Sequence, residues 1–116
     1  MAASSVIDIR ARVVAKGERA FGPGKADLLE KISQEGSISA AAKAMSMSYS
    51  RAWRLVDAMN ASFRAPLVDL ATGGRHGGGA SVTDQGREVL EIYRRLQAQL
   101  AKGADAFSAE FEKRLK

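Results

Sequence analysis

Arg51 and Arg54 stand three residues apart behind the run Ser48-Tyr49-Ser50, and Arg75-His76 stand inside a run of glycines. Guanidinium groups at the first spacing share the start of one helix, where arginine can make a bidentate pair with guanine in the major groove. An arginine carried on a glycine-rich hairpin suits a narrow minor groove or backbone phosphates. The chemistry on offer is recognition of a polyanion. Catalysis has little to work with: the chain has no cysteine and one histidine, and no carboxylate pair accompanies a cofactor motif. Disulfides and thiolate metal sites are excluded, and His76 alone cannot build a histidine cluster. No residue is assigned to a catalytic, cofactor or metal site.

These side chains need a rigid frame. The stretch from Gly36 to Gly79 reads as two helices joined by a tight turn and followed by a glycine-tipped hairpin, a winged helix-turn-helix. Ser39 is placed to cap a short first helix, whose small Ala41-Ala42 pair lets another helix cross at close range. Met45 and Met47 bracket Ser46 and supply apolar contacts under the turn. Ser48 then offers its hydroxyl to the orphan amides of a second helix running to about Arg64, which Pro66 closes. At about 100° per residue, Ala52, Leu55, Val56, Met59 and Phe63 form its core face. Ser50, Arg54, Asp57 and Ala61 lie opposite, with Arg51 and Ala58 on one flank and Trp53 on the other. Trp53 reads first as packing at the edge of the core and second as a contact to DNA or a partner, and the basic face itself could be merely solvated.

Length and composition bound the rest. With 116 residues, 46% hydrophobic and 27% charged, the chain has the size and make-up of one folded domain. No apolar run reaches the roughly 20 residues of a membrane span, and the start, Met1-Ala-Ala-Ser-Ser-Val-Ile-Asp, lacks the regions of a signal peptide. A cytoplasmic protein without a membrane partner is expected. The net charge of +5 and pI near 9.9 favour a polyanionic partner. Between Lys43 and Arg75, the bases Lys43, Arg51, Arg54, Arg64 and Arg75 outnumber the acids Asp57 and Asp69, so over half of the excess sits in the proposed DNA-facing unit.

At the N-terminal end, Ile7, Ile9, Ala11 and Val13 alternate with Asp8, Arg10 and Arg12, which predicts a half-buried strand over Val6 to Ala15, turned at Gly17 and returning over Glu18 to Phe21. Arg10, Arg12, Lys16 and Arg19 are either phosphate contacts or a charged strand face that discourages edge pairing. Gly22-Pro23-Gly24-Lys25 is not a phosphate-binding loop, because Arg19 stands where its first glycine belongs and Ala26 where serine or threonine should follow the lysine. A helix is expected from about Lys25 to Gln34, buried through Leu28, Leu29 and Ile32 and stopped by Gly36.

Beyond Pro66, Leu67 to Leu70 and Ala80 to Val82 predict two short strands around a wing. Thr72, Gly73, Gly74, Arg75 and His76 are its candidate DNA contacts, an ordinary glycine-rich loop being the alternative. Thr83 caps a long last helix with Asp84 in its first turn. Val89, Ile92, Tyr93, Leu96 and Leu100 make an apolar stripe that needs cover. Self-pairing in a two-fold dimer is the preferred reading, since it spaces two recognition helices about 34 Å apart on DNA; packing solely onto its own core is the other. The segment past Gly103 reads as helix or tail. The expected class is mainly α with small β, in one domain. It comprises an N-terminal strand region (1–21), the winged helix (22–82), and a dimerisation helix with tail (83–116).

Several ordered motifs resemble one family. They are Gly36-Ser-Ile-Ser with Ala41-Ala-Lys, Ser48-Tyr49 with Ala52-Trp53, Asp57-Ala-Met-Asn60, Ala71-Thr-Gly-Gly with Gly77-Gly-Gly-Ala80, and Thr83 with Gly86. Together they resemble the ModE-type molybdenum-responsive transcription regulators, whose DNA-binding domain is similar to that of LysR-type regulators, over about Gly22 to Gly103. The resemblance implies a homodimeric winged-helix binder of double-stranded DNA. Ser48, Tyr49, Ser50, Arg51 and Arg54 would lie at the major groove, joined by Ser39 and Lys43 from the first helix, with Thr72 to Gly79 as the wing. It further implies regulation of molybdate uptake or molybdenum-enzyme genes, usually as a repressor. Longer members carry molybdate-binding domains after the dimer helix, whereas this chain ends at Lys116. Oxyanion sensing is therefore carried over to none of its residues, no cofactor is expected, and a separate sensor protein is the expected source of any signal. Arg54 stands where members often have an acidic residue, which implies a different base preference, and Leu70 stands where arginine is common. Two other readings are a winged helix that serves a protein partner through its long helix and Trp53 face, and an oxyanion held by the glycine loop itself.

Overall fold

Proline and glycine set the bounds of the first helix. The computed structural model describes residues 6–71 and 79–116. In it, helix α1 spans Pro23–Glu35, two residues earlier than the spacing suggested, because the ring of Pro23 already holds the φ of a first helical turn. Gly36 ends it in the left-handed region at φ 80°, its N–H bonded to the Ile32 carbonyl at 2.9 Å. Ala26, Leu28, Leu29 and Ile32 are fully buried along one face.

Helix α2 spans Ile38–Ala44 and is capped by Ser37, whose hydroxyl accepts from the Ala40 N–H at 3.0 Å. This corrects the expected cap: Ser39 lies inside the helix, exposed, and leaves the orphan amide to the serine two residues earlier. Ala41 and Ala42 are buried where α1 and the next helix cross. The turn is closed by backbone bonds from Met45, Ser46 and Met47 to the end of α2, and Ser46 takes a φ of 53° to make it. Helix α3 spans Tyr49–Ser62, with the Ser48 hydroxyl accepting from the Arg51 N–H at 3.1 Å. Ala52, Val56 and Met59 are fully buried, and Leu55 and Phe63 pack against them from the rim.

The chain between α3 and the wing is tied down by Asn60. Its Oδ1 accepts from the Leu67 and Val68 N–H groups at 2.9 and 3.1 Å, and its Nδ2 donates to the Val68 carbonyl at 3.1 Å. Strands β3 (Val68–Leu70) and β4 (Ala80–Val82) pair antiparallel, Val68 opposite Val82 and Leu70 opposite Ala80. The Ala80 N–H reaches back to the Gly36 carbonyl at 2.9 Å, so the base of the wing is fastened to the corner between α1 and α2.

Helix α4 spans Asp84–Glu112, about 43 Å at 1.5 Å per residue, so the segment past Gly103 is helical. Thr83 caps it twice over: its hydroxyl accepts from the Gly86 N–H at 3.0 Å and donates to the Pro66 carbonyl at 2.7 Å. Gly86 has to be glycine, because a Cβ there would lie 2.3 Å from the Leu67 carbonyl oxygen.

The expected long first strand is not formed. Only Val13–Ala15 (β1) pairs with Glu18–Phe21 (β2), with a register shift at Val13/Val14 and a turn at Lys16 and Gly17, both at positive φ. Ile9 and Val13 are exposed rather than buried. The preceding residues reach α4 at two points instead: the Tyr93 hydroxyl donates to the Ala11 carbonyl at 2.7 Å, and the Val6 N–H donates to Ser108 Oγ at 3.3 Å. Phe21 carries β2 into the core, edge-on to Phe63 at 6.0 Å and to Tyr93 at 5.3 Å.

Candidate nucleic-acid interface

The first turn of α3 is where cap, charge and exposure coincide. With the Ser48 side chain satisfying an orphan amide and the core face committed, Tyr49, Ser50, Arg51 and Arg54 all project outward. Among the described residues neither Arg51 nor Arg54 has a carboxylate within ion-pair distance, although Asp57 follows Arg54 by one turn. Ser50, Trp53, Arg54 and Asp57 line an open concavity of about 410 Å³ on this face. Lys43 is exposed in the last turn of α2, and Ser39 is exposed near its start.

Other arginines are already engaged. On α4, Arg94 donates to Asp27 at 2.9 Å, to Glu30 at 3.0 Å and to Gln97 at 2.9 Å, pinning the helix to α1. Burial, the largest single influence on Arg94, opposes its charge; the bonds it donates to Asp27 and Glu30, with their negative charge, outweigh it, and its pKa is raised. Arg10 pairs with Asp8, Arg87 with Asp84 and Arg95 with Glu91. At the N-terminal end of α1, Lys25 Nζ donates to the Arg19 carbonyl at 2.8 Å, and its pKa is lowered by burial and then by the Arg19 charge.

The wing enters this frame by its base. The Ala71 N–H bonds to the Gly79 carbonyl at 2.9 Å, extending the β3–β4 ladder by one step. Thr72, Gly73, Gly74, Arg75 and His76 lie outside the described residues. Leu70 is exposed at the end of β3. The sequence reading gave Asn60 no role beyond its place in a family motif and did not single out Arg94. Asn60 was detectable as a polar residue beside the buried Met59, and Arg94 only through its neighbours in space.

Along α4 the predicted stripe divides. Ile92 is 57% exposed and Leu96 39%, whereas Tyr93 is 2% exposed and belongs to the chain's own core. Tyr93 is therefore corrected from a dimer residue to a core residue. Val89 and Leu100 are half-buried, Phe107 and Phe111 continue the exposed apolar surface toward the helix end, and Leu115 is exposed beyond it. Among the described residues no helix is long and apolar enough to cross a membrane.

Comparison with known proteins follows the same geometry. The crystal structure of a LysR family transcriptional regulator aligns with a TM-score of 0.54 over 72% of this chain and 27% of that one, at 23% identity, a likeness of fold. The molybdenum transport protein ModE of Azotobacter vinelandii is 44% identical over 81 residues, 70% of this chain and 30% of that protein. The molybdenum-pterin-binding protein MopB of Rhodobacter capsulatus is 41% identical over 87 residues, 75% and 32% of the two chains. The DNA-binding transcriptional dual regulator ModE of Escherichia coli K12 is 38% identical over 86 residues, 74% and 33%. The match thus spans 30% to 33% of the length of these curated relatives. Residues 25–87, from the start of α1 through the wing to the cap of α4, match the bacterial regulatory helix-turn-helix proteins of the lysR family; the chain belongs to that family, one of transcriptional regulators and not of enzymes.

Proposed function

We propose that this chain is the DNA-binding unit of a homodimeric, cytoplasmic regulator, acting as a repressor of genes for molybdate uptake or molybdenum enzymes. The observation that carries the reading is the pair of exposed guanidinium groups, Arg51 and Arg54, beside Tyr49 and Ser50 on a helix whose other face is locked into the core. Guanidinium groups without an ion-pair partner among the described residues can exchange their water and counterions for phosphate and base edges. Lys43 and Ser39 on α2 and the glycine-rich wing flank it in the proposed complex, with Thr72, Gly73, Gly74, Arg75 and His76 as wing contacts. The link to molybdenum is supported by the names of the relatives matched over this region. The dimer uses Ile92 and Leu96, flanked by Val89 and Leu100.

Titration of a labelled duplex carrying the protein's own upstream region, against a scrambled duplex, at two salt concentrations and with and without molybdate, tests this reading. Tight, salt-dependent preference for the native duplex is expected, with no response to molybdate. Sedimentation should show a dimer that Leu96→Asp dissociates. A protein-interaction winged helix is the second reading, favoured by the exposed Phe107 and Phe111 near the end of α4 and Leu115 just beyond it, which suit a separate sensor protein. Equal or absent binding to both duplexes would favour it.

A further inference from the structure

We propose that Trp53 reads the C5-methyl group of a thymine beside the base contacted by Arg54. The inference rests on the DNA-binding reading above and assigns it a specificity residue. Trp53 was expected first as packing at the edge of the core, and with 37% of its surface exposed it also presents part of its ring to solvent. Its indole forms one wall of the concavity shared with Ser50, Arg54 and Asp57, so an apolar surface stands between a hydroxyl, a guanidinium and a carboxylate. Tyr49, 52% exposed, lies one helical turn before it on the same flank of α3.

The composition of the concavity selects its occupant. A phosphate brought here would meet the Asp57 carboxylate, which disfavours the DNA backbone at this point. A base edge that offers only hydrogen-bonding atoms would leave the indole face against polar groups. The apolar group that the major groove displays is the thymine methyl. Ser50 and Arg54 at the rim supply donors for the acceptors of that base and its neighbour.

Duplexes selected by the intact chain from a random library, then resynthesised with each thymine replaced singly by deoxyuridine, test the assignment. One thymine per half-site should lose about fourfold in affinity with its methyl, the ratio for one buried methyl group, and the other positions should be unchanged. Trp53→Gln should abolish that difference, its affinity for the thymine duplex falling about fourfold to the level of the deoxyuridine one. Trp53 is the single tryptophan, so its emission should change more with the thymine duplex than with the deoxyuridine one. Uracil tolerated at every position, or discrimination that survives in Trp53→Gln, overturns the assignment and leaves DNA binding standing. Retention of no duplex overturns both. If Trp53→Gln does not fold, the uracil scan of the unaltered chain together with its tryptophan emission decides, and emission that does not distinguish the two duplexes overturns the assignment.

Discussion

Arg54 on α3 and Arg94 on α4 carry the same guanidinium into opposite surroundings. Arg94 is ringed by Asp27, Glu30 and Gln97, and its hydrogen-bonding capacity is spent inside the molecule, joining two helices. Arg54 sits on a helix whose buried face is equally committed, but its own head has no carboxylate partner among the described residues. The contrast separates a cation that braces the fold from one available to a polyanion. A cation already neutralised by carboxylates gains little from a phosphate, whereas an unpaired one on a rigid helix offers its full charge and fork of donors. Net charge alone does not make that distinction.

The two helices should therefore fail in different ways when altered. The largest effect is expected at the buried end of the bracing helix: Tyr93→Ala should cost about 3–5 kcal/mol of stability, read by denaturant unfolding, because Tyr93 fills the space beside Phe21 and bonds Ala11. Gly86→Ala should follow at about 1–3 kcal/mol or more, since its new methyl meets the Leu67 carbonyl. On α3, Arg54→Ala should leave the unfolding midpoint within experimental scatter and weaken the specific duplex by about 1–3 kcal/mol. Equal losses on specific and random duplex would place Arg54 on phosphate and blur the contrast. Arg94→Ala should do the reverse at smaller scale, lowering stability by about 0.5–1 kcal/mol, because all three groups are partly exposed and screened, with the preference between duplexes unchanged.

The smallest effect is a pH slope. Burial raises the pKa of the Tyr93 hydroxyl above its ordinary value of 10.0. A group raised on folding contributes stability in full below the unfolded value and loses it as pH rises through the folded one. Stability should accordingly decline above pH 10 in the parent and more shallowly in Tyr93→Phe, as followed by unfolding at a series of alkaline pH values.

What was legible in the chain was whatever is enforced within a few residues. Gly36 ends α1, Ser48 caps α3, Thr83 caps α4, and the apolar spacing of Ala52, Val56 and Met59 sets the buried face, because each rests on local hydrogen bonds or helical period. Those elements with the glycine-rich wing sufficed for the fold class and for the helix that presents Arg51 and Arg54. The start of α2 was not legible in this way: the cap is Ser37, whose hydroxyl accepts from the Ala40 N–H, and not Ser39.

Tertiary structure decided the rest, and in each case the deciding partner is distant in sequence. Alternation from Ile7 to Val13 is silent about what covers it; only Val13–Ala15 pairs as β1, while Val6 and Ala11 bond to Ser108 and Tyr93. The stripe on α4 contained Tyr93 and Ile92 side by side, but only the seating of that helix on Phe21 turned the first inward and left the second exposed. Helical period therefore determined which residues share a face from the sequence alone, whereas the long-range contacts that no local spacing encodes determined what each face meets.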